Sequence, residues 1–206
     1  MKKLFLLDAY ALIYRAYYAL MRMPRVNSKG LNTSAIFGFL NTLEDVLKHE
    51  QPTHIAVVFD PSGPTFRHEI FDAYKAQREE TPEDIRKAIP YIKKLIEAYQ
   101  IPVVQVDGFE ADDVIGTLAK QAEKLDFEVF MMTPDKDYGQ LIDDSCVIYR
   151  QKGDGIEIVD RQSIEEKYGF ADPILVRDML ALWGDSSDNI PGVPGIGEKG
   201  ASKLVR

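Results

Sequence analysis

The chain has 206 residues and a net charge of −8, with 45% hydrophobic and 28% charged residues, a balance that excludes a disordered tail. No apolar run approaches the roughly 20 residues of a membrane span, and the stretch Leu4–Leu7 meets Asp8 with no small-residue cleavage site after it, which excludes export. One cysteine, Cys146, and three scattered histidines, His49, His54 and His68, leave no internal disulfide and no zinc site, so the expectation is a soluble cytoplasmic protein without membrane contact.

Leu4 to Leu7 reads as a buried strand that ends at Asp8. Residues 10–22 then give a helix with Tyr10, Tyr14, Tyr17 and Tyr18 on one stripe, read as core packing rather than as a base-stacking surface. Thr33 is the predicted cap of a helix carrying Ile36, Phe37, Leu40, Leu43 and Leu47 on one side. The strand Ile55–Phe59 again ends on an acid, Asp60. After the loop Pro61–Pro64, Thr81-Pro82-Glu83-Asp84 predicts a helix start, with Pro90 as a kink.

A third strand is predicted over Val103–Val106, and the helix after it opens with Glu110-Ala111-Asp112-Asp113. A fourth, Val129–Thr133, leads into Pro134-Asp135-Lys136-Asp137, with weaker strands near Cys146–Tyr149 and Ile156–Val159. Strands alternating with helices in this order predict an α/β fold, a mainly parallel central sheet flanked by helices. From residue 161 the pattern changes to a compact helical appendage, starting at Asp172-Pro173 and holding two short helices around Gly192–Gly197. The expected division is a core over 1–160, with an arch segment at about 67–90, and a helix-hairpin-helix region over 161–206.

The carboxylates carry the chemistry. In open parallel sheets ligands gather beyond the carboxyl ends of the strands. Asp8, Asp60 and Asp135 each follow a separate predicted strand, and Glu110, Asp112 and Asp113 fill the first turn of a helix after another. With these acids, Asp137, Asp185 and Asp188 set aside, the rest of the chain is nearly neutral. So many carboxylates on one rim repel each other unless cations hold them. Mg²⁺ and Mn²⁺ take all-oxygen ligand sets, and two such ions about 4 Å apart suit in-line displacement at phosphorus. The composition therefore points to phosphodiester hydrolysis. The turn Gly195-Ile196-Gly197 between helices exposes backbone N–H groups as a phosphate seat, and Phe66-Arg67 with Tyr74-Lys75-Ala76-Gln77-Arg78 combines rings and cations in the manner of a single-strand contact.

These residues resemble the 5′ nuclease (5′-3′ exonuclease, flap-endonuclease) family, the domain that precedes bacterial DNA polymerases. The likeness spans the whole chain and rests on Val57–Asp60, Phe66-Arg67, Tyr74-Lys75 with Arg78, Gly108–Gly116, Asp135–Asp137 with Gln140-Leu141, and above all Gly184–Lys199. The chain departs from the family pattern at Ala9-Tyr10-Ala11 and at Pro134, neither of which removes a carboxylate. The resemblance implies a PIN-like nuclease fold and a structure-selective nuclease that cuts near the 5′ end of flap or nicked DNA in replication and repair. It implies two divalent ions: Asp8, Asp60, Glu110, Asp112 and Asp113 at the tighter, and Asp135, Asp137, Asp185 and Asp188 toward the second. Lys75 and Arg78 would act on the scissile phosphate; Tyr74 would stack on a displaced base; Arg15 and Arg67 would bind DNA. Gly195, Gly197, Lys199 and Lys203 would hold the duplex, with K⁺ at the hairpin. It further implies a monomer, and a chain that is a fragment continuing past Arg206 into a polymerase domain.

Three rivals compete. A Toprim-type site shares Asp135-x-Asp137 but begins on a glutamate where this chain has Asp8. A dehalogenase-type phosphatase needs Asp-x-Asp after the first strand, where the chain reads Asp8-Ala9-Tyr10. A non-catalytic DNA-binding module with a decayed site should have lost some of the acids. In the metal-free state the acids are expected to be splayed or linked through Lys136, and residues 67–81 to be the least anchored part.

Overall fold

The computed structural model describes residues 2–152 and 155–206. Six strands, β1 (Lys2–Asp8), β2 (His54–Val58), β3 (Val103–Val104), β4 (Phe127–Met132), β5 (Cys146–Lys152) and β6 (Gly155–Val159), form one sheet in the order β3-β2-β1-β4-β5-β6. All neighbours pair parallel except β5 and β6, which are antiparallel. Helices α1 (Ala9–Ala19), α2 (Ser34–Asp45) and α4 (Glu83–Ala98) cover one face. The other face carries α5 (Ala111–Glu123), α6 (Arg161–Tyr168), α7 (Leu175–Trp183) and α8 (Glu198–Leu204).

Burial on both faces explains why the central strands are apolar throughout. Phe5 and Leu7 point into the α1–α2–α4 layer, while Leu6 points into the α5 layer. Along the chain the strands step outward from β1 to β3 and then return to β4 on the other side of β1. That reversal opens a crevice at the carboxyl ends of β1 and β4, where Asp8 ends β1. Val176 and Met179 of α7 and Ala201 of α8 are fully buried in the same cluster as Ile115 and Val129, so the helical appendage and the sheet share a core. Among the described residues no helix is long and apolar enough to cross a membrane.

Several boundaries differ from the sequence reading. The third strand is only two residues long and closes the sheet edge, a common device against edge pairing. Thr33 does not cap α2; its hydroxyl donates to the Arg25 carbonyl at 2.8 Å. Thr81 likewise does not cap α4, because its hydroxyl accepts from Tyr14 at 3.0 Å and Pro82 takes the cap position. Pro90 lies on the exposed side of α4, where water can satisfy the carbonyl it leaves unpaired, and the helix runs on past it. Of the tyrosine stripe, Tyr10, Tyr14 and Tyr17 pack on the core and Tyr18 is exposed. Helix α7 starts at Leu175, after a turn at Asp172–Ile174.

Helices α1 and α2 cross at Gly38, where a Cβ would stand 2.6 Å from the Ala16 Cβ. Gly38→Ala gains helix propensity of about 1 kcal/mol, but the clash should outweigh it and lower stability by about 1–3 kcal/mol. Urea denaturation checks this: the midpoint falls if the crossing is as close as described, and rises if it is not.

Candidate active site

Asp8 does two jobs where β1 ends. Its Oδ1 accepts from Ala11 N at 3.1 Å and caps α1, while its Oδ2 accepts from the hydroxyls of Thr133 and Tyr138, each at 3.2 Å. Asp60, two residues past β2, accepts from Ala111 N at 2.7 Å and so fixes the start of α5 beside β1. That start presents Glu110, Asp112 and Asp113 to the same rim. Asp135 and Asp137 enter from the 3₁₀ turn after β4 (Lys136–Leu141), the first accepting from Asp137 N at 3.0 Å. Asp185 ends the short strand β7 (Gly184–Asp185), which follows α7, and Asp188 lies in its connection to β8 (Ile190–Pro191). Gly184 allows this: its φ is 81°, and a Cβ there would stand 2.3 Å from Gly192 N.

The nine acids thus meet at one edge of the sheet, and cations lie among them. Arg67, on the short helix α3 (Phe66–Ile70), grips Asp113 with two bonds of 2.6 and 2.8 Å and comes within 4.0 Å of Glu110 and Asp112. Lys75 Nζ donates to Glu110 Oε2 at 2.7 Å, and Arg78 Nη2 to Asp188 Oδ1 at 2.6 Å. Lys136 bridges Asp185 at 2.6 Å and Asp137 at 3.2 Å. Among the described residues no three His, Cys, Asp or Glu are close enough to enclose an ion as they stand.

The electrostatics of the rim favour a cation all the same. Burial pushes the Asp8 carboxyl up to about 6, against its bond from Ala11 and with help from the charge of Asp60. Burial also pushes Asp112 up to about 7; Arg67 opposes this, and Asp113 and Glu110 add to it. Asp60 and Asp137 are raised for the same leading reason. Asp137 Oδ1 is buried and receives no hydrogen bond, the Lys136 contact being one of distance alone. Asp185 is the exception: burial works against its charge, but Lys136 and Ser187 hold it down to about 2. An all-oxygen set with raised carboxyls fits a hard divalent ion.

Because folded Asp8 holds its proton more tightly than the unfolded chain does, its contribution to stability is complete below about pH 4 and is lost as pH rises through about 6. In EDTA, Asp8→Asn should therefore melt above the parent at pH 7.5, by on the order of 3 kcal/mol, with the difference gone near pH 4. Asparagine keeps the cap to Ala11. Equal melting at both pH values would show that Asp8 is not strained.

Some expected site residues lie elsewhere or act otherwise. Arg15, on α1, donates to Gln151 Oε1 at 2.8 Å, toward the carboxyl end of β5. Tyr74 is 4% exposed, and its hydroxyl donates to Glu110 at 2.9 Å and Asp188 at 3.0 Å; its ring is turned in, not offered for stacking. Within residues 67–81, expected to be weakly anchored, Arg67, Tyr74, Lys75 and Arg78 are tied down by these contacts, while Glu79 and Glu80 are exposed. Asp113 spends its oxygens on Arg67 and on Glu110 N at 3.0 Å, the cap of α5. Asp188 sits with Glu110 through Tyr74 rather than with Asp135 and Asp137. Lys199 and Lys203 are exposed one turn apart on α8, beside the exposed turn Gly195–Gly197, whose Gly195 has a φ of 83°. The sequence reading missed Thr133 and Tyr138, the partners of Asp8; a hydroxyl near a strand end carries no distinguishing pattern.

A cavity of about 550 Å³ opens beside the rim, lined by Asp112, Asp113, Asp137 and Lys120 among others. Residues 3–169 match the family described as 5′-3′ exonuclease, N-terminal resolvase-like domain, and residues 171–206 match its C-terminal SAM fold. DNA polymerase I of Bacillus subtilis is 46% identical across 100% of this chain and 23% of its own length. DNA polymerase I of Treponema pallidum is 42% identical across 99% of the chain and 20% of its own length. The chain thus spans about a quarter or less of these relatives. Among solved structures, zinc-bound 5′-exonuclease of bacteriophage T5 superposes with a TM-score of 0.78 at 23% identity, covering 100% of this chain and 75% of the other. The catalytic core of Rad2 in complex with DNA gives 0.62 at 20% identity, covering 99% and 60%. These likenesses establish a shared PIN-like 5′ nuclease fold.

Proposed function

The chain belongs to the 5′-3′ exonuclease family, and from that membership we propose that it hydrolyses phosphodiester bonds near the 5′ end of flap or nicked DNA, as the nuclease part of a DNA polymerase I. What supports this reading is the gathering of acids from several elements toward one sheet edge, with Lys75 paired to Glu110 and Arg78 to Asp188.

Asp8, Asp60, Glu110 and Asp112 would hold one divalent ion, and Asp135, Asp137 and Asp185 a second, with Asp113 and Asp188 reaching them after releasing Arg67 and Arg78. When bound, a pair of Mg²⁺ or Mn²⁺ ions supplies the activation of water and the neutralisation of charge on the reacting phosphate. The chain supplies the rest. Asp60 and the Asp113 cap hold α5 so that Glu110 and Asp112 keep their place relative to β1. Lys75 and Arg78 exchange their carboxylate partners for the phosphate oxygens and stabilise the charge that builds there. Tyr74 holds Glu110 and Asp188 together beneath them. Gly195, Gly197, Lys199 and Lys203 grip the duplex backbone without reading bases.

The test is cleavage of a labelled 5′-flap duplex in Mg²⁺. A cut near the flap junction supports the proposal. Binding without cutting would favour a non-catalytic module, and no preference over linear duplex would remove the structural selectivity. Lys199→Ala should weaken duplex binding and flatten its dependence on salt by about one unit with turnover kept; filter binding across a salt series reads this, and an unchanged slope would place the duplex elsewhere.

A further inference from the structure

The segment from Ala73 to Arg78 is tied to the β7–β8 connection, more than a hundred residues further along the chain, largely through backbone carbonyls. Asn189 Nδ2 donates to the Ala73 carbonyl at 2.7 Å, and Lys75 N donates to the Asp188 carbonyl at 3.0 Å. Gln77 Nε2 reaches the Ser186 carbonyl at 2.7 Å, and Arg78 Nε the Ser187 carbonyl at 3.1 Å. Two residues at this junction have left-handed backbones, Asn189 at φ 59° and Lys75 at φ 55°. Asparagine visits that region readily, but lysine has no local means of paying for it and stays there only when its surroundings hold it.

We propose that Asn189 is a positioning residue for Lys75. Its side-chain amide fixes the Ala73 carbonyl two residues ahead of Lys75, while the next carbonyl back, that of Asp188, takes the Lys75 N–H. Between them they hold the lysine in its left-handed conformation with Nζ on Glu110. The role rests on the reading of Lys75 as a group that acts on the phosphate. It also explains why the acid at Asp188 and the cations at Lys75 and Arg78 stay in register: one loop carries the carboxylate and the hold on the segment opposite.

The test variant is Asn189→Gly, which still permits the left-handed backbone and removes the side-chain amide that holds the Ala73 carbonyl. In the full chain it should lower kcat on a flap duplex by roughly 100-fold, the cost of a displacement near 1 Å, with KM little changed. In a Lys75→Ala background the same substitution should change kcat by no more than about twofold, since both act through one group. Independently of activity, the Lys75 backbone amide should exchange with solvent about tenfold faster or more in the metal-free variant, as read by NMR. Equal losses of kcat in both backgrounds, or an unaltered Lys75 exchange rate, would overturn the proposal. A parent chain that cleaves nothing would instead overturn the nuclease reading, and the exchange rate alone would then decide whether Asn189 holds Lys75.

Discussion

Asparagine in place of Asp112 should slow flap cleavage by about 10³-fold while leaving the fold as stable as before. The carboxylate Oδ1 accepts from Asp113 N at 2.7 Å, a bond the asparagine oxygen can keep, and two-fifths of the side chain is exposed, so little packing is lost. What goes is one charge among the acids that would hold a divalent ion, and charge stabilisation by such ions is worth several kcal/mol at the transition state. Removing a carboxylate that burial, with the charges of Asp113 and Glu110 added, pushes up to about 7 should relieve strain in the metal-free state. Single-turnover rates in Mg²⁺ beside a urea denaturation series separate the two effects. A rate within tenfold of the parent would remove Asp112 from the ion site; a large loss of stability would make the rate uninterpretable as chemistry and contradict the packing described above.

Lys75→Ala should lower turnover by about 10²–10³-fold, the loss typical of removing one preorganised donor from a developing charge. Its side chain is only 18% exposed and its Nζ lies on Glu110, so in the free chain the lysine serves as counter-ion to the acids. Substitution leaves Glu110 with Tyr74 and the more distant Arg67, which should keep the fold but raise repulsion at the rim. Duplex affinity should change little, because the groups proposed to grip the duplex lie on α8 and its preceding turn. The discriminating measurement is kcat against Kd for the same flap substrate. Parallel losses in both would mean that Lys75 acts by binding DNA rather than on the reacting phosphate.

The skeleton of this site was legible in the sequence because buried parallel strands are apolar on both faces and therefore stop abruptly at the first acid, as β1 does at Asp8. The glycines and acids of the Gly184–Lys199 run were legible for a related reason, since a tight approach such as that of Gly184 to Gly192 leaves no room for other residues. Partnership was not legible. Nothing near Arg67 says that it grips Asp113, 46 residues away, and nothing near Tyr74 says that its ring turns inward. Flanked by Lys75 and Arg78, that tyrosine reads as a surface residue; it is buried because two carboxylates satisfy its hydroxyl. The cap expected of the Thr81 helix start failed the same way, its hydroxyl being claimed by Tyr14, 67 residues away. Local pattern carries spacing and burial, while pairing across the fold depends on topology that no window of the sequence contains.

The central claim is that the acid rim works as a two-ion phosphodiesterase centre. Its most direct test is the single-turnover rate of flap cleavage against free Mg²⁺ concentration, with excess EDTA as the zero point. Two cooperating ions predict no cleavage in EDTA and a log–log slope approaching about 2 at the lowest concentrations. Cleavage undiminished by EDTA, or a slope that never rises above about 1, would contradict the account.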